Sequence, residues 1–389
     1  LINFIEEEVE MKTINIKSFD SKEWIGGLYY KRNIIFSLLQ NPYIKNNYKI
    51  QVSTYNENYD FFNVFSCDNY TVVIGKEENA VDKINNVLSY AKDGISYIYP
   101  SSSKFFHHLL GICAIQWIPD FQHNHFPEYF DDKSLKSRSE YYQSICDNSD
   151  PLILSSNDCK RDFIQFYGNK EDIYVVPFVS YLEPEIKQIS TIYEKQVLEK
   201  FELTDIPYVC ISNQFWKHKN HIVIFQAIKQ LCLKNKELLF VFTGFPKDLR
   251  DTNYFNSLLE IMDDKNVKPH IRVLGFIDRS EQLIIMKNSE FIIQPSLFEG
   301  WGTVVEDAKV LDKKIILSDI PVHREQMNEN CILFDPYSAE KLAEVINKEK
   351  NIKHHDNIEK GINDMYRRAK IYSEGFEKLL RDRERKSVL

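Results

Sequence analysis

A chain of 389 residues, 43% hydrophobic and 27% charged, is too long for one core and suits two domains of roughly 150–200 residues. Its net charge of −8 argues against a general nucleic-acid binder. The longest apolar run, around Leu109–Ile118, is broken by Gln116 and falls short of the ~18 residues that a membrane span needs.

In chain order, residues 1–10 carry Glu6, Glu7, Glu8 and Glu10 where a secretory signal has basic and then apolar residues. They read as a loose extension outside the fold. Met11-Lys-Thr-Ile-Asn-Ile-Lys17 begins the first strand, and further strand candidates follow at 48–54, 71–75, 95–100, 113–119, 152–156 and 173–178. Helical stretches separate them, so residues 11–180 read as a first α/β domain. The polar, Glu- and Lys-rich segment 181–204 has no strand pattern and reads as the interdomain connection.

From Pro207 the alternation is regular. Apolar runs rich in β-branched and aromatic residues lie at 207–212, 238–244, 271–276, 290–296, 313–318 and 331–334, with helix candidates between and after them. Strands of about five residues repeating with helices of ten or more are βαβ units, which form an open parallel sheet covered on both faces. The fold class expected is therefore α/β with two Rossmann-like domains, the second over 205–355. The tail 356–389 is a mixed-charge helix with Tyr366, Ile371, Phe376, Leu379 and Leu380 on one broad face. It should pack on something. Two such domains facing one another place their strand C-termini around a common cleft, where ligands bind.

Several constellations carry chemistry. In Gln294-Pro-Ser-Leu-Phe-Glu-Gly-Trp-Gly-Thr-Val-Val-Glu-Asp-Ala-Lys309, a strand ends and a loop carries Glu299, Gly300, Trp301 and Gly302. A helix follows, with Thr303 as N-cap and Glu306 at capping-box spacing. Such an entry points backbone N–H groups and a positive dipole end at an anion such as a diphosphate. Glu299 suits sugar hydroxyls or a transient positive charge instead; an incidental surface Glu is the bland alternative. Asn213-Gln-Phe-Trp-Lys-His-Lys-Asn-His221 sits at another strand-to-helix turn. Lys217, His218, Lys219 and His221 make a compact cationic site there, suited to phosphate oxygens. A solvated basic turn is the alternative.

Gly275 and Phe276 close a strand, and Gly244 closes another. Gly26 and Gly27 let backbone approach a ligand, although a plain turn has the same pattern. Neither pair completes GxGxxG, so a nicotinamide fingerprint is missing. Asp120, His123, His125 and Glu128 follow a strand at 113–119, in spacings that match no common zinc motif. The seven cysteines are scattered and form no CxxC pair, so no metal site or disulfide framework is expected and a reducing cytosol is. Ser155–Asp158 reads as an N-cap cluster and Arg381–Lys386 as a solvated helix end.

The Glu299 segment resembles the signature of retaining glycosyltransferases of GT-B fold, family 4 in particular, in which seven residues separate a Glu from a second acidic residue. The register pairs Glu299 with Asp307. The resemblance implies that Glu299 contacts the donor sugar and Asp307 the donor ribose. It implies that Lys219 stabilises the departing diphosphate, with Asn213 or Gln214 where the family has Arg. Gly300, Trp301, Gly302 and Thr303 would flank the diphosphate, Gly275 and Phe276 the nucleobase, and Gly26 and Gly27 the donor phosphate and acceptor. Asp120 or His123 would close the sugar side.

The implied activity is hexosyl transfer with retention, without a metal or other cofactor, from a UDP- or GDP-linked nucleotide-sugar. The acceptor would be a glycan or lipid-linked hydroxyl in bacterial surface-polysaccharide synthesis. The implied place is the cytoplasm, with peripheral contact at the inner membrane face. A nucleotide-sugar epimerase, a phosphorylase and a non-catalytic sugar-nucleotide-binding subunit are the competing readings.

Overall fold

The computed structural model describes residues 11–19, 25–75, 80–101, 110–231, 237–246 and 252–388. The expected extension 1–10, Trp24 and Cys232 lie outside them. The first lobe contains β1 (Lys12–Ser18), β2 (Tyr48–Thr54), β3 (Tyr70–Ile74), β4 (Ile95–Tyr99) and β5 (Cys113–Ala114), all parallel, in the order β3-β2-β1-β4-β5. A second parallel sheet continues with β6 (Gln116–Ile118), β7 (Leu152–Leu154) and β8 (Ile173–Val175). The single strand expected over 113–119 is thus divided. Ile115 N–H still donates to Ile98 O at 2.9 Å, whereas Gln116 N–H donates to Pro151 O at 2.8 Å. The chain changes partner within one residue.

The second lobe holds β9 (Tyr208–Ser212), β10 (Leu239–Thr243), β11 (Ile271–Gly275), β12 (Ile292–Gln294), β13 (Ile315–Ser318) and β14 (Cys331–Phe334). Their order, β11-β10-β9-β12-β13-β14, and their parallel pairing are those of a doubly wound sheet. Every residue of β9 and β10 is buried. Covering by helices on both faces explains why these strands read as continuous apolar runs instead of alternating ones. Edge strand β3 is buried only at Tyr70 and partly at Val72.

The connection between lobes is helical, over Glu183–Gln188 and Thr191–Lys200. The tail is one helix, Ile358–Val388, that crosses from the second lobe back to the first. Met365 and Ala369 pack in the second-lobe core, whereas Phe376, Leu379 and Leu380 pack in the first. Tyr366 and Ile371, expected on its apolar face, are 37% and 44% exposed. Arg368 and Ser373 occupy the buried face instead, because the contact surface includes polar partners. Arg368 ion-pairs with Glu306, and Ser373 Oγ accepts from Asn41 Nδ2 at 3.1 Å. The basic end is also held: Lys386 pairs with Asp172 at 3.0 Å, and Glu384 accepts from Tyr48 OH at 2.6 Å. No described helix is long and apolar enough to cross a membrane.

Candidate active site

In the six-stranded sheet of the second lobe the chain winds outward from β9 in one direction and from β12 in the other, so the crevice beyond their C-terminal ends is the topological switch point. The loop after β9 delivers Lys219 there, and the loop after β12 delivers Glu299. Asn220 joins the two. It adopts φ +55°, which Asn tolerates, and its Nδ2 donates to Pro295 O at 3.1 Å and Pro336 O at 2.8 Å. Leu297 N–H donates to His218 O at 2.8 Å. With both loops pinned, Lys219 Nζ lies 2.6 Å from Glu299 Oε1, the side chains 15% and 11% exposed.

The carboxylate is further fixed by a chain of amides. Asn213 Nδ2 donates to Gln294 Oε1 at 2.7 Å, and Gln294 Nε2 donates to Glu299 Oε1 at 2.9 Å. Burial works against ionisation of Glu299, but the Lys219 ammonium outweighs it and holds the carboxyl below its ordinary range. Asn213 thus faces the site, whereas Gln214 is exposed. Gly244, at φ +115°, lets β10 end against them: an added Cβ would lie 2.3 Å from Asn213 O.

The expected cationic cluster is narrower than its sequence. His221 is fully buried and stacks on Phe215 with centroids 4.2 Å apart. Burial, with Lys219 nearby, pushes its imidazole down to about 3, so it is neutral. His218 is also buried, and Lys217 extends over the Tyr129 ring of the first lobe at 5.2 Å. Lys219 remains as the cation at Glu299.

The glycine-flanked loop makes the seam between lobes. Ser156 caps its own helix by accepting from Cys159 N–H at 3.0 Å, and its Oγ also donates to Gly300 O at 3.1 Å. A Cβ at Gly300 would lie 2.1 Å from Pro119 O, so only glycine permits this approach. Trp301 is buried, and its indole N–H donates to Phe178 O at 2.9 Å. It packs the seam, so the side chain does not present itself to a ligand as expected. Across the same seam, the Glu325 carboxylate accepts from the N–H groups of Asn157 and Asp158 at 2.8 and 2.7 Å.

The capping box expected from Thr303 and Glu306 is absent. Gly302 is the N-cap of the Thr303–Val310 helix, with no side-chain cap. Its N–H already donates to Gln326 Oε1 at 2.9 Å. Glu306 is fully buried and accepts from Lys309 Nζ at 2.9 Å, Gln326 Nε2 at 3.0 Å and Arg368 of the tail. An ion-paired network outcompetes a local cap because the tail helix covers this turn. Asp307, one position on, turns toward Arg279, with Nη2–Oδ1 at 2.7 Å. Gly275 has φ +72° and accepts at its carbonyl from Gly244 N–H at 2.8 Å. Phe276 beside it is 63% exposed.

On the first lobe, Gly26 and Gly27 lie in the opening turn of the Ile25–Gln40 helix rather than in a loop. Asp120 sits against Gly300, its Cβ 3.1 Å from a Cβ placed there. Burial raises its carboxyl pKa although Gln122 N–H donates to it at 3.0 Å. His123 is 2% exposed and lies 2.9 Å from Tyr167 OH; burial pushes it down to about 4. The more open ring is His125, 2.8 Å from Asp162 and 5.0 Å from the Phe298 ring. Among the described residues no three His, Cys, Asp or Glu side chains gather as a metal site.

Sequence reading missed Gln294, Asn220, Arg279, Glu325 and His323. His323 is buried beside Glu299, its Nδ1 donating to Ser318 O at 2.9 Å and its pKa pushed by burial to about 4. An amide closing the apolar strand at Gln294 was a usable signal. The others owe their roles to contacts remote in sequence.

Residues 193–365 match the family model "Glycosyl transferases group 1". Over 234 residues the chain is 24% identical to the O-antigen chain mannosyltransferase RfbU of Salmonella typhimurium, covering 59% of each. A 91-residue stretch is 25% identical to the O-antigen biosynthesis glycosyltransferase WclY of Escherichia coli, covering 23% of this chain and 25% of that one. The chain therefore spans 59% and 25% of the lengths of these curated relatives. Among solved structures, a glycosyltransferase from Rickettsia africae aligns over 97% of both chains with TM-score 0.63 and 17% identity. Anabaena HepE in complex with UDP and glucose aligns over 97% of this chain and 100% of its own, with TM-score 0.62 and 14% identity. The fold is that of the GT-B glycosyltransferases.

Proposed function

We propose that the protein is a retaining glycosyltransferase. It moves a sugar from a nucleoside-diphosphate donor to a hydroxyl of a glycan or lipid-linked acceptor in bacterial surface-polysaccharide synthesis, at the cytoplasmic membrane face. The observation that carries the reading is the Lys219–Glu299 pair at the switch point of the six-stranded sheet. The group 1 match, the O-antigen relatives and a GT-B neighbour holding UDP and glucose support it.

Breaking a glycosyl–phosphate bond builds negative charge on the diphosphate and positive charge on the sugar ring. Lys219 has three N–H donors and directs one at Glu299. The others suit phosphate oxygens, and a preorganised cation in a water-poor crevice stabilises the leaving group strongly. Asn213 supplies an amide where the family has Arg. Glu299, kept ionised by Lys219, faces the sugar and offsets the charge developing at its anomeric carbon. The departing phosphate receives the acceptor proton on the face it leaves, which retains configuration. In this scheme fixed protein charge does what a divalent ion does elsewhere.

A thermal-shift panel of UDP- and GDP-sugars tests the donor assignment, because ligand binding adds stability as ln(1+[L]/Kd). One donor should raise the melting temperature of the native chain and raise it little in Lys219→Ala. No shift with any nucleotide-sugar at millimolar concentration sinks the proposal. Retention is read separately, from the anomeric configuration of the product by NMR.

A further inference from the structure

The short helix after β13, Pro321–Gln326, faces two ways. On its own lobe, Gln326 is fully buried and grips Gly302 as a neighbouring strand would. Its Oε1 accepts from the Gly302 N–H at 2.9 Å, and its Nε2 donates to the Gly302 carbonyl at 3.1 Å. Gly302 ends the loop that begins at Glu299. One residue before Gln326, Glu325 reaches the first lobe. Its Oε2 accepts from the Asn157 N–H at 2.8 Å and from Asn157 Nδ2 at 3.1 Å, and its Oε1 accepts from the Asp158 N–H at 2.7 Å.

Those N–H groups open the Asn157–Tyr167 helix. The first N–H groups of a helix have no partner within it, and the dipole there favours a carboxylate. Here the carboxylate comes from 168 and 167 positions away, in the other lobe. The N-cap of the same helix, Ser156, donates to Gly300 O at 3.1 Å. Asp158 carries a like charge beside Glu325, and Arg161 offsets it: Nη2 lies 2.8 Å from Asp158 Oδ1 and 3.8 Å from Glu325 Oε1.

The contacts close a ring. Gly302 leads to Gln326, Gln326 to Glu325, Glu325 to residues 157 and 158, and Ser156 back to Gly300. The first lobe therefore holds the loop after Glu299 at two points, directly through Ser156 and indirectly through Glu325. Two backbone N–H groups on one carboxylate demand a fixed distance and angle, so a shift of about 1 Å between the lobes breaks the cap.

We infer that Glu325 is a positioning residue for glycosyl transfer: by capping a helix of the first lobe it ties the docking of the lobes to the placement of the Glu299–Gly302 loop. This rests on the transferase reading above and adds to it a residue that acts through the loop, not on the substrate.

Hydrogen exchange and steady-state kinetics on Glu325→Ala and Glu325→Gln test it. In Glu325→Ala the amides of 157–159 should exchange about tenfold faster, as for a lost helix cap. The Gly302 amide should follow, although its own partner Gln326 is intact. Turnover should fall by roughly tenfold or more at unchanged donor KM. Glu325→Gln, which keeps one acceptor oxygen, should lie between. Faster exchange confined to 157–159 makes Glu325 a local cap and overturns this inference alone. A loss of melting temperature and donor affinity in step with turnover, the mark of a merely structural role, overturns it too. If the native chain transfers from no nucleotide-sugar, the transferase reading fails and this inference fails with it.

Discussion

The two lobes present polar groups to the seam in opposite ways. In the second lobe, Lys219 and Glu299 come from different strand ends and meet as a largely buried ion pair. In the first, His123 Nε2 pairs with Tyr167 of its own lobe, and Asp120 accepts from Gln122 N–H two residues away. Aromatic rings (Phe121, Tyr142, Tyr167) pack around them. The difference teaches where chemistry and selectivity divide. A doubly wound sheet makes an electrostatic site by construction, because its crossover loops converge at one crevice. The other lobe contributes a wall in which aromatic rings surround Asp120 and His123.

The strongest way to break this comparison is at the pair itself. Lys219→Ala should lower transfer by about 100-fold or more and destabilise the fold by roughly 3 kcal/mol, because Glu299 is left buried without a counter-charge. Adding Glu299→Gln should recover stability in urea unfolding but not turnover. Recovery of both would assign the pair a structural role only. Next, Gly300→Ala puts a Cβ 2.1 Å from Pro119 O, so the lobes must separate. A drop in transfer of roughly 10- to 100-fold, with a larger radius of gyration by X-ray scattering, is expected; an unchanged radius would show that the seam yields locally.

The tail sharpens the contrast from outside the site. Arg368→Met removes a partner of fully buried Glu306 and should cost about 3 kcal/mol, with Arg368→Met/Glu306→Gln recovering most of it. The smallest effect concerns acid sensitivity. His221 and His323 are held neutral by burial, their pKa values lowered from 6.5 to about 3 and about 4. Between the ordinary imidazole range and pH about 4, the unfolded chain takes up protons that the folded chain refuses, so stability falls as pH drops through that window. His221→Phe keeps the stack on Phe215. It should change stability at pH 7 by about 1 kcal/mol or less and flatten the acid limb of a melting-temperature profile. An acid limb as steep as before would remove His221 from the account.

Much of the second lobe was legible beforehand. Its four central strands are buried by helices and read as compact apolar runs, and the Glu299 and Lys219 loops lie where such strands end. The first lobe was less so. Residues 113–119 read as one strand because nothing local marks the change of pairing at Ile115. The capping box at Thr303 and Glu306 is a valid local solution; it lost to Lys309, Gln326 and Arg368, one of them 62 residues away. His221 read as a cation because sequence carries no burial.

The sequence by itself determined the βαβ periodicity, the doubly wound second lobe and the acidic and basic loops at its edge, since hydrophobic period and turn residues are local properties. Only the tertiary structure decided which charges survive. Burial neutralised His221, the tail helix captured Glu306, Arg279 claimed Asp307, and Asn220 brought Lys219 to Glu299. Charge depends on dielectric and neighbours, and both are set by contacts between residues far apart in the chain.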